Sequence, residues 1–262
     1  MLLDLSGRSA LVTGGSDGLG RAIAAQLARS GANVAIVARR PDALRQAAFD
    51  IARTASGRVI SRECDVGDLD SLAAIADWVR DELGAVDILV NNAGGAARRD
   101  FGDLTRNDLV DDMQVKVFGA VALAQHVVPG MKERRWGRII NILSSRARTP
   151  DAGSAPSTVA RSAGMTLTKV MALELAPWNI LVNAICAGLF STGQWRRSHA
   201  QMAPDVPYRD FLKAQAERAR IPLGRYGEPE ELAALACFLA SDAASYMSGV
   251  SINVDGGLCP IP

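Results

Sequence analysis

The chain has 262 residues, 48% of them hydrophobic and 22% charged, with a formal net charge of +1 at pH 7. This is the composition of a globular chain with enough apolar residues for a full core, and the near-zero charge gives no reason to expect nucleic acid or an anionic membrane as partner. Four scattered cysteines, Cys64, Cys186, Cys237 and Cys259, form no C-x-x-C pair, and with only two histidines in the chain no metal site is expected.

The cysteines read as small buried hydrophobes in a reducing compartment. Residues 1–7 contain Asp4 and no apolar run suited to a signal peptide. No segment approaches the roughly 18 apolar residues that span a bilayer, so a cytoplasmic location is expected. Domains of the α/β class reach about 250 residues as one unit. A single domain over residues 1–262 is therefore the expectation.

Short β-branched runs alternate with longer amphipathic stretches. Ser9–Thr13 reads as a strand and Gly18–Ser30 as a helix. Asn33–Ala38 is a strand, Asp42–Ala55 a helix, Arg58–Cys64 a strand and Leu69–Leu83 a helix. Val86–Asn91 is nearly all apolar, as in a strand buried on both faces of a parallel sheet. A long helix follows near Asn107–Val128, then a strand at Arg138–Leu143 and a helix over Ala155–Ala176. Ile180–Ile185 is a strand, Glu228–Leu239 a helix with Pro229 in its first turn, and Ser251–Val254 the last strand. Strands separated by helices imply βαβ units and a doubly wound parallel sheet. One stretch, about Gly193–Tyr226, contains Pro204, Pro207 and Pro222 and lacks a clear period. It reads as an irregular substrate or lid loop.

The first strand runs into Gly14, Gly15, Ser16, Asp17, Gly18, Leu19 and Gly20, then a helix. Glycines let a backbone turn tightly against a pyrophosphate, and the helix amino terminus offers free N–H groups to that anion. The second strand ends at Ala38-Arg39. A site for NAD usually places an acid there for the ribose 2′-OH. Ala38 cannot serve, whereas Arg39, followed by Arg40, can pair with a 2′-phosphate. NADP(H) is therefore expected over NAD(H).

These residues resemble the short-chain dehydrogenase/reductase family, over nearly the whole chain. The family's T-G-x-x-x-G-x-G is Thr13 to Gly20. Asp65-Val66 matches the pair that contacts adenine, and Asn91-Asn92-Ala93-Gly94 matches N-N-A-G. Ala187-Gly188-Leu189-Phe190-Ser191-Thr192 matches P-G-x-x-x-T beside the nicotinamide, with alanine for proline, and Val254-Asp255-Gly256-Gly257 matches V-D-G-G. Many NADP-using members carry a basic residue where Asp17 stands. The resemblance implies a single-domain Rossmann fold and assembly as a homotetramer or homodimer through the helices at 107–128 and 155–176. It also implies a small-molecule substrate.

The family's chemistry uses Tyr-x-x-x-Lys, a serine and an asparagine. Counting back from Leu173-Glu174-Leu175-Ala176-Pro177 puts Ser157 at the tyrosine position and Arg161 at the lysine position. The serine is Ser144, and the asparagine position, before Phe118-Gly119-Ala120, is Lys116. An aliphatic hydroxyl is a far weaker acid than a phenol of pKa about 10. Arginine neither gives nor takes a proton, though it can bind an oxyanion or ribose hydroxyls.

Three readings follow. One is a working reductase on a carbonyl, hydroxyl or enoyl substrate with a displaced acid, Lys116 or Tyr208. The second is non-redox chemistry, as in the halohydrin dehalogenases that resemble this fold; those lose the glycine-rich loop, which this chain keeps, and retain the tyrosine. The third is a catalytically inactive nucleotide-binding sensor or assembly partner. Among other candidates, His126 reads as a structural histidine and His199 as a loop residue. Trp195, Met202, Tyr208 and Phe211 suggest an apolar lid. Arg196-Arg197 could take a substrate carboxylate or phosphate, such as that of an acyl thioester carrier. Arg98-Arg99 and Arg134-Arg135 read as solvated surface.

Overall fold

A computed structural model describes residues 3–261. Seven strands form one sheet in the order β3-β2-β1-β4-β5-β6-β7. They are β1 (Ser9–Thr13), β2 (Asn33–Ala38), β3 (Val59–Glu63), β4 (Ile88–Asn91), β5 (Gly137–Ser144), β6 (Ile180–Ala187) and β7 (Ser251–Val254). Every pairing is parallel. The chain winds outward from β1 to β3, then returns to β4 on the other side of β1. The carboxyl ends of β1 and β4 therefore open a crevice where connections leave in opposite directions, the usual place for a ligand in such a sheet.

Helices cover both faces. On one lie α1 (Gly18–Arg29), α2 (Pro41–Ala52) and α9 (Pro229–Ala240), whose Ile23, Leu27, Leu44, Ile51, Leu232 and Leu239 join a core with Val12, Ile36 and Val90. On the other lie α3 (Leu72–Leu83), α5 (Gly119–Arg134) and α6 (Ser157–Leu175), which pack Val79, Leu123, Met131 and Ala172 against Leu11, Leu89 and Ile139. Strands covered on both faces need apolar residues at successive positions. β6 is buried along its whole length, and β5 everywhere but Ser144 at its end.

α4 (Arg106–Met113) starts with a capping box between Thr105 and Asp108. A wider turn of π geometry at Gln114–Phe118 joins it to α5. The helical stretch read at 107–128 thus extends to Arg134, through Pro129. Pro129 is exposed, so the carbonyl one turn before it, freed by the missing N–H, can turn to solvent.

The segment 193–226 corrects the reading as an irregular loop. It holds two helices, α7 (Gly193–Met202) and α8 (Tyr208–Arg218). Pro204 and Pro207 lie between these helices and Pro222 beyond them, so the prolines punctuate rather than disrupt. Their apolar side chains are few because each helix buries only a narrow stripe. On α8 the buried members are Phe211 and Ala216, and Ala216 clusters with Ile221 and Tyr226, beyond the helix, beside Trp195, Leu189 and Leu258. Two further expectations change. His126 is exposed, not a satisfied core histidine. Arg134 is drawn to the buried Asp87 at 3.1 Å, so it is not merely solvated surface. Cys64, Cys186 and Cys237 are buried and unbridged, as read; Cys259 is half-buried. Among the described residues no helix is long and apolar enough to cross a membrane.

Candidate active site

One open cavity of about 920 Å³ lies over the carboxyl ends of the strands. Its first end is built by the β1–α1 turn. Gly14 has φ +66°, a conformation that side chains strain to adopt, and a Cβ on it would lie 2.9 Å from Asn92 Nδ2. That amide donates to the carbonyls of Thr13 (2.9 Å) and Gly14 (3.3 Å), while Thr13 Oγ1 accepts from the N–H groups of Asn92 and Ala93. The Asn92-Ala93 turn after β4 thus braces the glycine-rich turn after β1. Asp17 caps α1, its carboxylate accepting from Gly18 N at 2.7 Å. A Cβ on Gly20 would fall 2.3 Å from the Asn92 amide, so this glycine serves close packing and does not line the cavity.

The cavity wall otherwise includes Gly14, Ser16, Asp17, Gly18, Leu19, Arg39, Arg40, Asp65, Val66, Asn92, Ala93, Gly94, Arg161, Gly188 and Thr192, all read from the sequence as cofactor positions. At the same end Arg39 Nη1 stands 4.0 Å from Asp65, and both side chains are well exposed. Backbone N–H groups at the amino end of α1 and three guanidinium or amide donors nearby suit a dinucleotide with several phosphates.

At the far end, Ser144 closes β5 and its Oγ accepts from Arg146 N at 3.3 Å. Ser157 opens α6, and Arg161 follows one turn later, so both share a helix face. Ser144, Ser157 and Arg161 all line the cavity. Arg161 donates to the carbonyl of Ile142 at 3.0 Å and reaches that of Gly94 at 3.5 Å. Burial lowers its pKa and Asp112 opposes the shift.

Lys116, read as a catalytic position, stands apart from the cavity that holds Ser144, Ser157 and Arg161. It does not line the large cavity. It borders a separate void of about 20 Å³ with Asn91 and Asn141. Its ammonium is ion-paired with Asp112, one turn earlier on the same helical stretch, with 4% of the lysine side chain and 13% of the aspartate exposed. Gly94 lies between the two cations: its carbonyl faces Arg161, and the Lys116 stem fills the space where its Cβ would be, 2.9 Å away. Burial pushes the Lys116 ammonium down; the bond to Asp112 opposes this and Arg161 adds to it. Sequence reasoning missed Asp112, although an acid four residues before a lysine was a readable sign.

It missed Tyr226 too, a buried phenol that lines the cavity and packs edge-on against Trp195 at 5.0 Å. Burial pushes Tyr226 up to about 12, so it stays protonated. Tyr208, the other phenol considered, is not on the wall; its OH lies 3.4 Å from Ser191 Oγ. Arg196 and Arg197 both have partners within the chain. Arg196 stacks over the Tyr208 ring at 4.7 Å, and Arg197 pairs with Asp17 at 3.1 Å. Arg98, read as surface, is exposed but borders the cavity together with Arg146 and Arg218.

The family model described as enoyl-(acyl carrier protein) reductase matches residues 14–259. The chain belongs to the short-chain dehydrogenase/reductase family. The chain is 33% identical over 258 residues to 3-oxoacyl-(acyl-carrier-protein) reductase FabG of Aquifex aeolicus, covering 98% of this chain and 100% of that one. L-Sorbose reductase from Gluconobacter frateurii, solved with NADPH and L-sorbose, superposes with a TM-score of 0.95 at 34% identity over the full length of both chains. An NADPH-bound short-chain oxidoreductase from Pseudomonas aeruginosa PAO1, described as containing an atypical catalytic center, superposes with a TM-score of 0.91 at 34% identity over 98% of each chain. This family member is thus similar throughout to NADPH-using reductases.

Proposed function

We propose that the chain is an NADP(H)-dependent oxidoreductase acting on a carbonyl, hydroxyl or enoyl substrate through a degenerate catalytic set, with Ser157 and Arg161 where the family has Tyr-x-x-x-Lys. The observation that carries this is the continuity of one cavity from the Gly14–Leu19 turn to Ser144, Ser157 and Arg161. When bound, NADPH supplies a hydride to the substrate carbon. Arg39 and Arg40 hold the 2′-phosphate, and Asp65 and Val66 border the adenine. Asn92, Ala93, Gly94, Gly188 and Thr192 border the middle of the dinucleotide. Ser144 and Ser157 offer two hydroxyls to a substrate oxygen. Arg161 stabilises negative charge there and binds the ribose hydroxyls, without moving a proton.

The proton comes from a group other than residue 157. Lys116 is one candidate, and it must leave Asp112 to act. Tyr226 is a second, already on the wall. The relatives' named substrates, a 3-oxoacyl carrier-protein thioester and L-sorbose, set the ends of the assay panel. NADPH oxidation is followed with simple ketones, ketoses, 3-oxoacyl thioesters and enoyl thioesters. Turnover of at least one class is expected, with simple ketones slowest because nothing of a phenol's normal acidity faces them.

A second reading is favoured by the Asp112–Lys116 pair, which removes the lysine from the cavity: a nucleotide-binding homologue without catalysis. Tight NADPH binding with no turnover on any class establishes that reading instead. We also propose a homotetramer or homodimer. Val159, Val170 and Leu173 on α6 and Phe118 beside α5 are large apolar side chains left exposed on the long helices. Light scattering on the purified protein tests this, a monomer being the contrary result.

A further inference from the structure

We propose that Arg197 of α7 is a cofactor-selecting residue. It completes, with Arg39 and Arg40, the seat of the 2′-phosphate of NADP(H), so that the dinucleotide and the 193–226 segment close on each other. The inference rests on the NADP(H) reading above and adds a residue from the opposite end of the chain.

The observation is a cluster of charges around one carboxylate. Asp17 Oδ1 is used by the α1 cap. Its Oδ2 stands 3.1 Å from Arg197 Nη1 and 3.6 Å from Arg40 Nη2. Two guanidinium groups, one following β2 and one on α7, therefore share a single carboxylate oxygen. Arg39, adjacent to Arg40, is within 4.0 Å of Asp65. All five residues line the same cavity. Three cations face two acids there, so the seat carries a net positive charge before any ligand arrives. A phosphomonoester brings about −1.5 to −2 charges and three acceptor oxygens, and guanidinium forks match it in geometry.

The backbone keeps Arg197 at this place. Gly193 packs so closely on the glycine-rich turn that a Cβ would lie 2.5 Å from Asp17 Oδ2. A Cβ on Gly18 would lie 3.3 Å from Thr192 Cγ2. Arg197 is one turn after Gly193 and so shares its face of α7. The start of this helix is thus fitted to the glycine-rich turn, and Arg197, its second cation, points to the same carboxylate. Asp17 acts as the resident counter-ion. Exposed ion pairs of this kind are weak, so a dianionic phosphate can draw both arginines from it. This also accounts for an acid at position 17 of a site that takes an anion: its charge is already matched by Arg40 and Arg197.

The test is a fluorescence titration of the full-length protein with NADPH and with NADH, for wild type, Arg197→Gln and Asp17→Asn. Circular dichroism verifies that each is folded. Arg197→Gln should weaken NADPH about tenfold, the value of one charge-assisted contact, and NADH by less than twofold. Asp17→Asn keeps the α1 cap, since an amide oxygen accepts from Gly18 N equally well. It should tighten NADPH about threefold or more by freeing both arginines, and NADH by clearly less. NADPH should protect residues 193–226 from limited proteolysis in wild type, and less so in Arg197→Gln. Equal weakening of both cofactors by Arg197→Gln overturns the proposal and assigns Arg197 to the shared pyrophosphate. No change in either leaves it a surface ion pair and also overturns the proposal. Arg39→Asp, measured in parallel, tests the NADP(H) reading alone: loss of NADPH preference there, with none from Arg197→Gln, separates the two failures. A wild type that binds NADPH no better than NADH removes both.

Discussion

At the amino-terminal end of the cavity, Gly14, Gly20, Thr13 and Asn92 interlock through backbone geometry and contacts of 2.3–3.3 Å, real or blocked. At the other end, Ser144, Ser157 and Arg161 are side chains on a rigid strand end and helix face, and the scaffold holds its place whichever residues stand there. The first end is constrained by the packing of backbone against backbone and the Asn92 amide. The second is constrained only by position. That difference explains how a family member can keep the glycine-rich turn and carry a serine and an arginine at positions 157 and 161.

The largest expected effect breaks the constrained end. Gly20→Ala places a Cβ 2.3 Å from the Asn92 amide and 2.4 Å from the Gly14 carbonyl. Neither can yield without shifting the turn. Overpacking of this kind is worth about 1–3 kcal/mol or more of stability, and NADPH affinity should fall by roughly a hundredfold because the N–H groups no longer converge. Thermal melting and fluorescence titration measure both. An unchanged affinity would mean that the turn does not hold the phosphates.

The next effect works in the opposite sense at the permissive end. The double change Ser157→Tyr with Arg161→Lys puts a phenol on the cavity wall and a lysine behind it. Ketone reduction should rise by about a hundredfold, the lower range for a positioned general acid. If the rate does not move while the protein melts normally and binds NADPH, the loss of activity on ketones does not originate at position 157. A smaller effect sharpens the cofactor end. Arg39→Asp should weaken NADPH by about 2 kcal/mol, roughly thirtyfold, from a lost charge-assisted contact in an exposed place. NADH should change far less. Parallel titrations decide it, and equal changes would remove the 2′-phosphate from this residue.

The sheet and most helix positions were legible in the sequence because strands covered on both faces leave continuous apolar runs, as in β4 and β6. The site was legible where spacing is fixed by the scaffold. Ser144, Ser157 and Arg161 came from counting along β5 and α6, and all three line the cavity. What stayed hidden depends on contacts between distant segments. The α7 and α8 helices looked irregular because their stripes pack on Leu189, Tyr226 and Leu258, none of them on either helix. The pairing of Arg197 with Asp17 joins residues 180 positions apart. Lys116 was expected in the cavity because it stands at the asparagine position of the family pattern. The π-geometry turn at Gln114–Phe118 and Asp112 instead hold it on the far side of Gly94.

The smallest effect concerns that lysine and is read from stability. Burial lowers the Lys116 pKa in the folded chain below the ordinary 10.5. Between the lowered folded value and 10.5 the unfolded chain binds more protons than the folded one. Stability contributed through this group therefore increases as pH rises through that window. In Lys116→Met the titrating group is gone. Urea unfolding of both proteins from pH 7 to 10 should show wild type gaining on the variant as pH rises, by at most about 1.4 kcal/mol per pH unit for one proton. The buried cysteines titrate alike in both proteins, so they do not produce the difference. A difference that stays flat or shrinks would mean that Asp112 keeps the ammonium fully charged in the folded state. Lys116 would then be a bound cation rather than a candidate proton donor, and Tyr226 would be left as the candidate on the cavity wall.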